Sequence, residues 1–307
     1  MHYVNAKSIL SNKNGMNIYR GCTHGCIYCD SRSLCYNMNH EFTNIEVKEN
    51  ALILLEKALK SKKNKCMIGT GSMSDPYMPL EEKLNYTHNA LELIYKYEFG
   101  ATLITKSNKV LRDLELLKKI NEQSKAVIQM TLTTYDEDIC KILEPNVCTT
   151  KERFDTLNIL KEENIPTIIW FSPFIPLVND NIKNMEGLLN YAIKAKVKGI
   201  INFGIGLTLR DGNREYFYKK LKEIEDNINY NKKNNILYNK KYDVFLGLKD
   251  YYIKEYGTSY EISSEKNREI MDYFHKTCEK NNIMHNNDEI FKYLQKYESK
   301  TYQMSLF

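Results

Sequence analysis

Three cysteines close to the N-terminus, Cys22, Cys26 and Cys29, stand in the run GCTHGCIYC with the spacing C-x3-C-x2-C. Thiolate sulfur is a soft ligand that suits zinc and iron–sulfur clusters. Structural zinc takes four closed ligands, usually as two C-x2-C-like pairs. No second pair exists here, although Cys35 or His24 could complete a set. Three close thiolates without an obvious fourth point instead to a cubane cluster with one iron left open. An open iron is a reaction site, whereas a fully ligated cluster mainly carries electrons. His24 reads as a loop residue and Cys35 as a free thiol. Cys66, Cys140, Cys148 and Cys278 read as ordinary core or surface residues.

The elements that must hold this loop follow from the pattern of apolar residues. Residues 16–19 form a short strand leading into the cysteines, and residues 47–62 carry apolar side chains at helical spacing. Residues 66–69 read as a buried strand. A helix begins near Pro79, which suits a first turn, and runs to about Phe99. Further strands are expected over 101–105, 126–133, 166–171 and 199–203, with helices over 109–121, 151–163 and 181–196. Short strands alternating with helices predict a parallel sheet with helical crossovers, an α/β fold. In such folds function gathers at the C-terminal ends of the strands. The cysteine loop lies there, with Gly69-Thr70-Gly71-Ser72, Thr105-Lys106-Ser107, Thr133-Thr134 and Gly204-Ile205-Gly206.

Past Gly206 the pattern changes. Residues 211–226 read as a helix, 227–242 as a polar loop or disordered insert, and 265–281 and 288–297 as helices of an appendage. At 307 residues and 42% hydrophobic, the chain can bury one large domain, or one domain with an appendage. No stretch approaches a membrane span and the first ten residues are no secretory signal. Eight scattered cysteines fit a reducing compartment, so a cytoplasmic protein is expected. With 44 basic and 39 acidic residues the net charge is +5, which tolerates a polyanion without demanding one. The crowding with Lys, Asn, Ile and Tyr reads as base-composition bias in the gene, and 60–65 as a solvated helix end.

The cysteine spacing, the aromatic Tyr28 before the third cysteine and the six strand–helix units together resemble the radical S-adenosylmethionine superfamily over about residues 15–210. The phrases GCTHGCIYCDSR (21–32), SMSDPYMPLE (72–81), IPLVND (175–180) and GIGLTLRDGNREYF (204–217) resemble its spore photoproduct lyase-like branch. The resemblance implies a partial (β/α)6 TIM-type barrel. It implies a [4Fe-4S] cluster on Cys22, Cys26 and Cys29, whose open iron chelates S-adenosylmethionine. Reductive cleavage of that cofactor then yields a radical that takes a hydrogen atom from substrate. The resemblance further implies that Tyr28 packs near the adenine and that Gly69, Thr70, Gly71 and Ser72 meet the methionyl ammonium. Lys106 would pair with the methionyl carboxylate, Thr131 or Thr133 would bind the ribose, and Ile205 would cover the adenine. DNA repair or modification, lyase-like, becomes the expected activity, with an unidentified electron donor. Radical modification of RNA or protein is the alternative, as is a non-catalytic iron–sulfur DNA- or clamp-binding module.

One departure stands out. In spore photoproduct lyase a cysteine returns a hydrogen atom to the product radical; here Ser72 occupies the aligned position. An O–H bond is much stronger than S–H, so a related but different reaction is expected. Gly69-x-Gly71 and Gly204-x-Gly206 lack a third glycine, because Ser74 and Leu209 stand there, so a dinucleotide fingerprint is rejected. Arg210, Asn213 and Arg214 with Tyr216 and Tyr218 could grip a phosphate backbone and stack a base, or could begin an amphipathic helix. Arg153 could touch cofactor or form a surface salt bridge. The final residues Gln303, Met304, Ser305, Leu306 and Phe307 resemble the peptide by which bacterial repair proteins bind the sliding clamp. The expected organisation is an N-terminal segment (1–14), a core barrel (15–210), an appendage (211–300) and this tail (301–307).

Overall fold

The computed structural model describes residues 1–234, 236 and 239–300; the clamp-like tail lies outside them. Six parallel strands form the central sheet: β2 (Gly15–Met16), β5 (Met67–Thr70), β6 (Gly100–Thr105), β7 (Ala126–Thr131), β8 (Thr167–Trp170) and β9 (Gly199–Ile201), hydrogen-bonded in that order. β2 and β9 are the two edges, so the sheet is a partial barrel, as expected for the α/β fold class. All six residues of β7 are buried. Val127, with Met67, Ile168 and Ile201, shares an apolar cluster with Ile290 and Leu294. Ala126, Ile128 and Met130 pack with the outer helices. Alternate side chains therefore serve two different cores.

The crossover helices are α1 (Ala51–Ser61), α2 (Glu81–Leu84), α3 (Tyr86–Lys96), α4 (Leu114–Gln123), α5 (Glu137–Leu143), α6 (Thr150–Glu162) and α7 (Ile182–Lys194). α6 opens on a capping box in which Thr149 and Glu152 satisfy each other's backbone N–H groups. A small sheet of β1 (His2–Val4), β4 (Glu46–Lys48) and β3 (Tyr19–Arg20) flanks the barrel.

Several expected boundaries are corrected. The strand expected over 16–19 is two pieces: Met16 ends β2, and Tyr19 begins β3 in the other sheet. Val47 lies in β4 rather than in a helix, because it pairs with Tyr3 and Tyr19 on its two sides. The helix expected from Pro79 to Phe99 breaks at Asn85, whose φ of 56° is left-handed. Residues 108–113 are 3-10 before α4 begins.

After β9 come β10 (Gly206–Thr208), α8 (Asn213–Lys233), α9 (Leu248–Tyr256), β11 (Glu261–Ser263), α10 (Asn267–Lys280) and α11 (Asn287–Gln295). β10 and β11 pair antiparallel. The expected polar insert over 227–242 is wrong at both ends: α8 continues through Lys233, and 240–245 is 3-10 helix. Lysine–carboxylate pairs such as Lys222–Asp226 support the exposed face of α8, and Ile228 turns inward. α10 contributes Ile270, Phe274 and Cys278 to the main core. Lys125, at the start of β7, donates to the Tyr293 and Lys296 carbonyls at 2.7 and 3.2 Å, capping the end of α11 across the bottom of the sheet.

Candidate iron–sulfur and S-adenosylmethionine site

The cysteine loop is built by two glycines and by backbone bonds to distant segments. Gly21 has φ 91°, and a Cβ on it would stand 2.4 Å from the Phe42 carbonyl oxygen, the same oxygen that accepts from the Cys22 N–H at 3.1 Å. Gly25 has φ 75° and packs against the Asn146 side chain, while Ile27 N–H donates to the Leu143 carbonyl at 3.0 Å. Gly21→Ala combines a forbidden backbone region with a clash. It should cost about 1–3 kcal/mol and lower the iron bound per chain after anaerobic reconstitution; iron content against thermal midpoint checks this.

Cys26, Ile27 and Tyr28 belong to a second apolar core with Leu207, Phe217, Phe245 and Tyr252. Elements beyond β9 thus grip the cysteine loop from outside. Arg32 sits between the Phe42 and Tyr216 rings, 4.1 and 3.8 Å from their centroids, and extends this grip.

Cys26, Cys29, Tyr28, Lys106 and Ile205 line one cavity of about 490 Å³, with Ser172, Phe203, Gly204, Gly206 and Asn267. Burial pushes the Cys22 thiol up to about 12 and the Cys26 thiol well above its usual range, although the Lys106 charge opposes the shift at Cys26. Metal binding at these sulfurs therefore releases protons. Burial works against the Lys106 charge, but Cys26 and Glu144 outweigh it and raise its pKa. Lys106 stays a cation beside the sulfurs, its Nζ 5.8 Å from the Tyr28 ring centroid.

The donor set fits a cluster better than a single ion. Ligand sulfurs of one tetrahedral zinc lie roughly 3.8 Å apart, given Zn–S of about 2.3 Å. Among the described residues, one group of His, Cys, Asp and Glu has its ligand atoms all within 4.8 Å of one another, and it does not contain the three cysteines. Cys22 and Cys29 both add to the upward shift of the Cys26 thiol, after burial. A wider triangle suits several irons.

The other residues expected at the site are not among those lining this cavity. Gly69 and Thr70 lie in β5. Gly71, at φ 99°, packs where a Cβ would stand 2.0 Å from the Ile104 carbonyl oxygen. Ser72 lines a second cavity of about 640 Å³ on the barrel interior with Asn14, Thr102, Gln129, Trp170 and Phe291. There Trp170 Nε1–H donates to Gln129 at 2.8 Å, and Gln129 donates to Thr102 at 2.8 Å. The Trp170 ring lies 6.1 Å from that of Phe203, so an aromatic pair joins the two cavities. Thr133 is fully buried and donates to Glu144 at 3.5 Å; the Thr131 carbonyl accepts from Arg153 at 3.0 Å.

Sequence reasoning missed two carboxylates. Glu144 is buried and accepts from the Tyr28 hydroxyl while pairing with Arg153, itself fully buried. This replaces both readings offered for Arg153. Asp75 accepts from the Thr105 hydroxyl, the Lys106 N–H and the Tyr77 N–H at 2.8, 2.8 and 2.9 Å. Its Oδ2 also lies 3.5 Å from Nδ1 of His24, whose side chain is buried. Asp75 thereby ties the cysteine loop to the end of β6. The phrase SMSDPY contained this residue, but nothing in it named the partners.

Of the residues considered for a phosphate backbone, Asn213 and Arg214 are held by their own chain. Asn213 donates to the Thr208 carbonyl at 3.2 Å, and Arg214 to the Leu209 and Thr258 carbonyls at 2.6 and 3.0 Å. Tyr216 stacks under Arg32, and the Tyr218 hydroxyl donates to the Gly257 carbonyl at 3.4 Å. Arg210 remains half-exposed, bonded to the Tyr36 and Tyr260 hydroxyls at 3.0 and 2.7 Å.

Residues 16–192 match the sequence profile of the Radical SAM superfamily, and the chain belongs to that family. An uncharacterized protein of Methanocaldococcus jannaschii is 34% identical over 175 residues, covering 56% of this chain and 64% of its own length. An uncharacterized protein of Mycobacterium tuberculosis is 24% identical over 208 residues, covering 66% of this chain and 61% of its own length. The chain thus spans under two thirds of these relatives. Among solved structures, spore photoproduct lyase complexed with dinucleoside spore photoproduct superposes with a TM-score of 0.51 at 11% identity, over 71% of this chain and 65% of that one. That likeness is one of fold. Membership of the family carries its cofactors, a [4Fe-4S] cluster and S-adenosylmethionine. Among the described residues, no helix is long and apolar enough to cross a membrane.

Proposed function

We propose that the chain is a radical S-adenosylmethionine enzyme acting on DNA, in repair or modification, by a reaction related to but distinct from spore photoproduct reversal. The observation that carries the enzymatic part is the cavity in which Cys26, Cys29, Tyr28, Lys106 and Ile205 meet. When bound, the cluster and S-adenosylmethionine supply a radical that abstracts hydrogen from substrate. The chain's own residues hold and orient. Cys22, Cys26 and Cys29 would hold three irons of the cluster. The Lys106 ammonium would pair with the methionyl carboxylate. Tyr28, fixed by Glu144, and Ile205, whose N–H donates to Asn267 at 2.7 Å, bound the adenine side. Thr133 lies behind Glu144, so a ribose role for it requires a shift of that pair.

Substrate enters the interior cavity, where Trp170 offers a face for stacking and Ser72 a hydroxyl, with Phe203 of the cysteine cavity beside Trp170. A base in duplex DNA must be extruded to reach it, at a cost of roughly a few kcal/mol. The DNA reading is supported by the lyase-like phrases and by the resemblance of residues 303–307 to a clamp-binding peptide. RNA and protein remain the competing substrates. Incubation with deuterated DNA discriminates among them: deuterium should appear in 5′-deoxyadenosine, and transfer only from RNA or protein would reject DNA. Retention on purified sliding clamp should require residues 303–307.

Lys106→Met removes a charge-assisted contact worth about 1.5–3 kcal/mol. It should weaken S-adenosylmethionine binding roughly 10- to 100-fold while the iron content is kept; equilibrium binding to the reconstituted protein measures it.

A further inference from the structure

The small sheet beside the barrel brings together three side chains that the radical chemistry does not use. His2 on β1 and Glu46 on β4 are directly paired across the two parallel strands. His40 arrives from the loop before β4. One nitrogen of each ring and a carboxylate oxygen of Glu46 lie within 4.8 Å of one another. We propose that His2, His40 and Glu46 form a binding site for one divalent transition-metal ion of the zinc class.

The hydrogen bonding argues for it. His40 Nδ1 lies 3.0 Å from the Glu41 carbonyl oxygen. A carbonyl can only accept, so Nδ1 is the donor and Nε2 is the nitrogen left to meet an ion. A backbone carbonyl holding the far nitrogen is the usual way a ligating histidine is oriented. Nε2 of His40 and Nδ1 of His2 are both buried with no hydrogen-bond partner. The His40 side chain is only 9% exposed, and its Nε2 stands 3.7 Å from the Glu46 carboxylate, whose side chain is 13% exposed. That separation is too long for a hydrogen bond. It is close to the roughly 3.3–3.6 Å between two ligand atoms of a tetrahedral ion with bonds of about 2.0–2.2 Å. The two rings meet edge to face, with centroids 4.7 Å apart. One cation between them would satisfy both orphaned nitrogens and the Glu46 carboxylate together. Two imidazoles and one carboxylate suit zinc and leave its fourth position for water.

The ion would pin the loop that supports the cysteines. The Phe42 carbonyl that receives the Cys22 N–H is two residues past His40, and Arg20, next to Gly21, pairs with Glu46 across β3 and β4. The site is independent of the substrate reading and of the three thiolates.

The test uses the full chain with its cluster reconstituted, so that the cysteines are occupied, dialysed against zinc. Wild-type protein should take up one zinc per chain beyond its iron. His40→Ala and Glu46→Gln should weaken that uptake at least 10-fold while iron content and far-ultraviolet dichroism stay unchanged. His2→Ala, on a terminal strand, changes no residue of the loop and should weaken the uptake as well. Cobalt in place of zinc should give d–d absorption without thiolate charge transfer. Equal zinc uptake by wild type and all three variants, no uptake by wild type, or a thiolate charge-transfer band from cobalt would each overturn the proposal.

Discussion

Alanine in place of Cys26 is expected to remove iron loading and, with it, all formation of 5′-deoxyadenosine. Cys26 is buried, lines the cofactor cavity, and lies in the same apolar core as Tyr28 and Phe217. It cannot be replaced from nearby. Cys35 is exposed and accepts from Arg210 at 3.4 Å, and Cys140 and Cys148 belong to the Glu144–Arg153 surroundings behind Tyr28. Two thiolates cannot hold the three irons that leave one vertex for S-adenosylmethionine. The loss should be to background rather than partial, and iron per chain together with product formation measures it. Because alanine is smaller and apolar, fold stability should change little, so unaltered far-ultraviolet dichroism would separate this loss from unfolding.

The second large effect lies one layer out. Arg153→Met leaves the Glu144 carboxylate buried with only hydroxyl and thiol partners. Removing one member of a buried ion pair typically costs about 3–5 kcal/mol, which for a chain of this size lowers the thermal midpoint by on the order of 10 °C. The double variant Glu144→Gln/Arg153→Met should recover part of that loss, since both members of the pair go together, while Lys106 loses the Glu144 charge that favours its protonated form. The pair also sets a pH dependence. Burial alone would raise the Glu144 pKa, but Arg153 and Lys106 overcome it and hold the carboxyl below its usual range. A group whose folded pKa is depressed contributes stability that is complete above its unfolded value, about 4.3. That stability is lost as pH falls through the lower folded value. Wild-type stability should therefore drop below about pH 4.3 more steeply than that of Glu144→Gln. Chemical denaturation across that range checks the sign. Since Glu144 fixes the Tyr28 hydroxyl, the same variants should weaken S-adenosylmethionine binding.

How much of this was legible in the sequence depended on whether a feature repeats locally. β7 could be read because a parallel strand covered on both faces becomes an apolar run, and α7 because its inward residues recur at helical spacing. The cysteine loop could be read because its ligands are close in sequence. α5 has seven residues, too few for a period to show. The polar end of α8 carries a single inward residue, Ile228, and so resembled a loop. β10 and β11 pair across a long excursion that no local pattern announces. The same holds for Glu144 with Tyr28 and for Asp75 with Thr105 and His24: side chains far apart in sequence meet only when the barrel forms. Lys106 follows the end of β6 and lines the cavity of Cys26 and Cys29, while Ser72, two residues past β5, lines the interior cavity.

In the proposed enzyme the three sulfurs hold a cluster whose open iron receives S-adenosylmethionine in the cavity beside Lys106. Oxygen-free protein, reconstituted with iron and sulfide, reduced, and mixed with S-adenosylmethionine, tests it most directly by chromatography of the products. Wild-type protein should yield 5′-deoxyadenosine and the Cys26→Ala variant none. An intact reduced cluster that yields no 5′-deoxyadenosine, or spectroscopy finding a single tetrahedral zinc at the three cysteines, would contradict it.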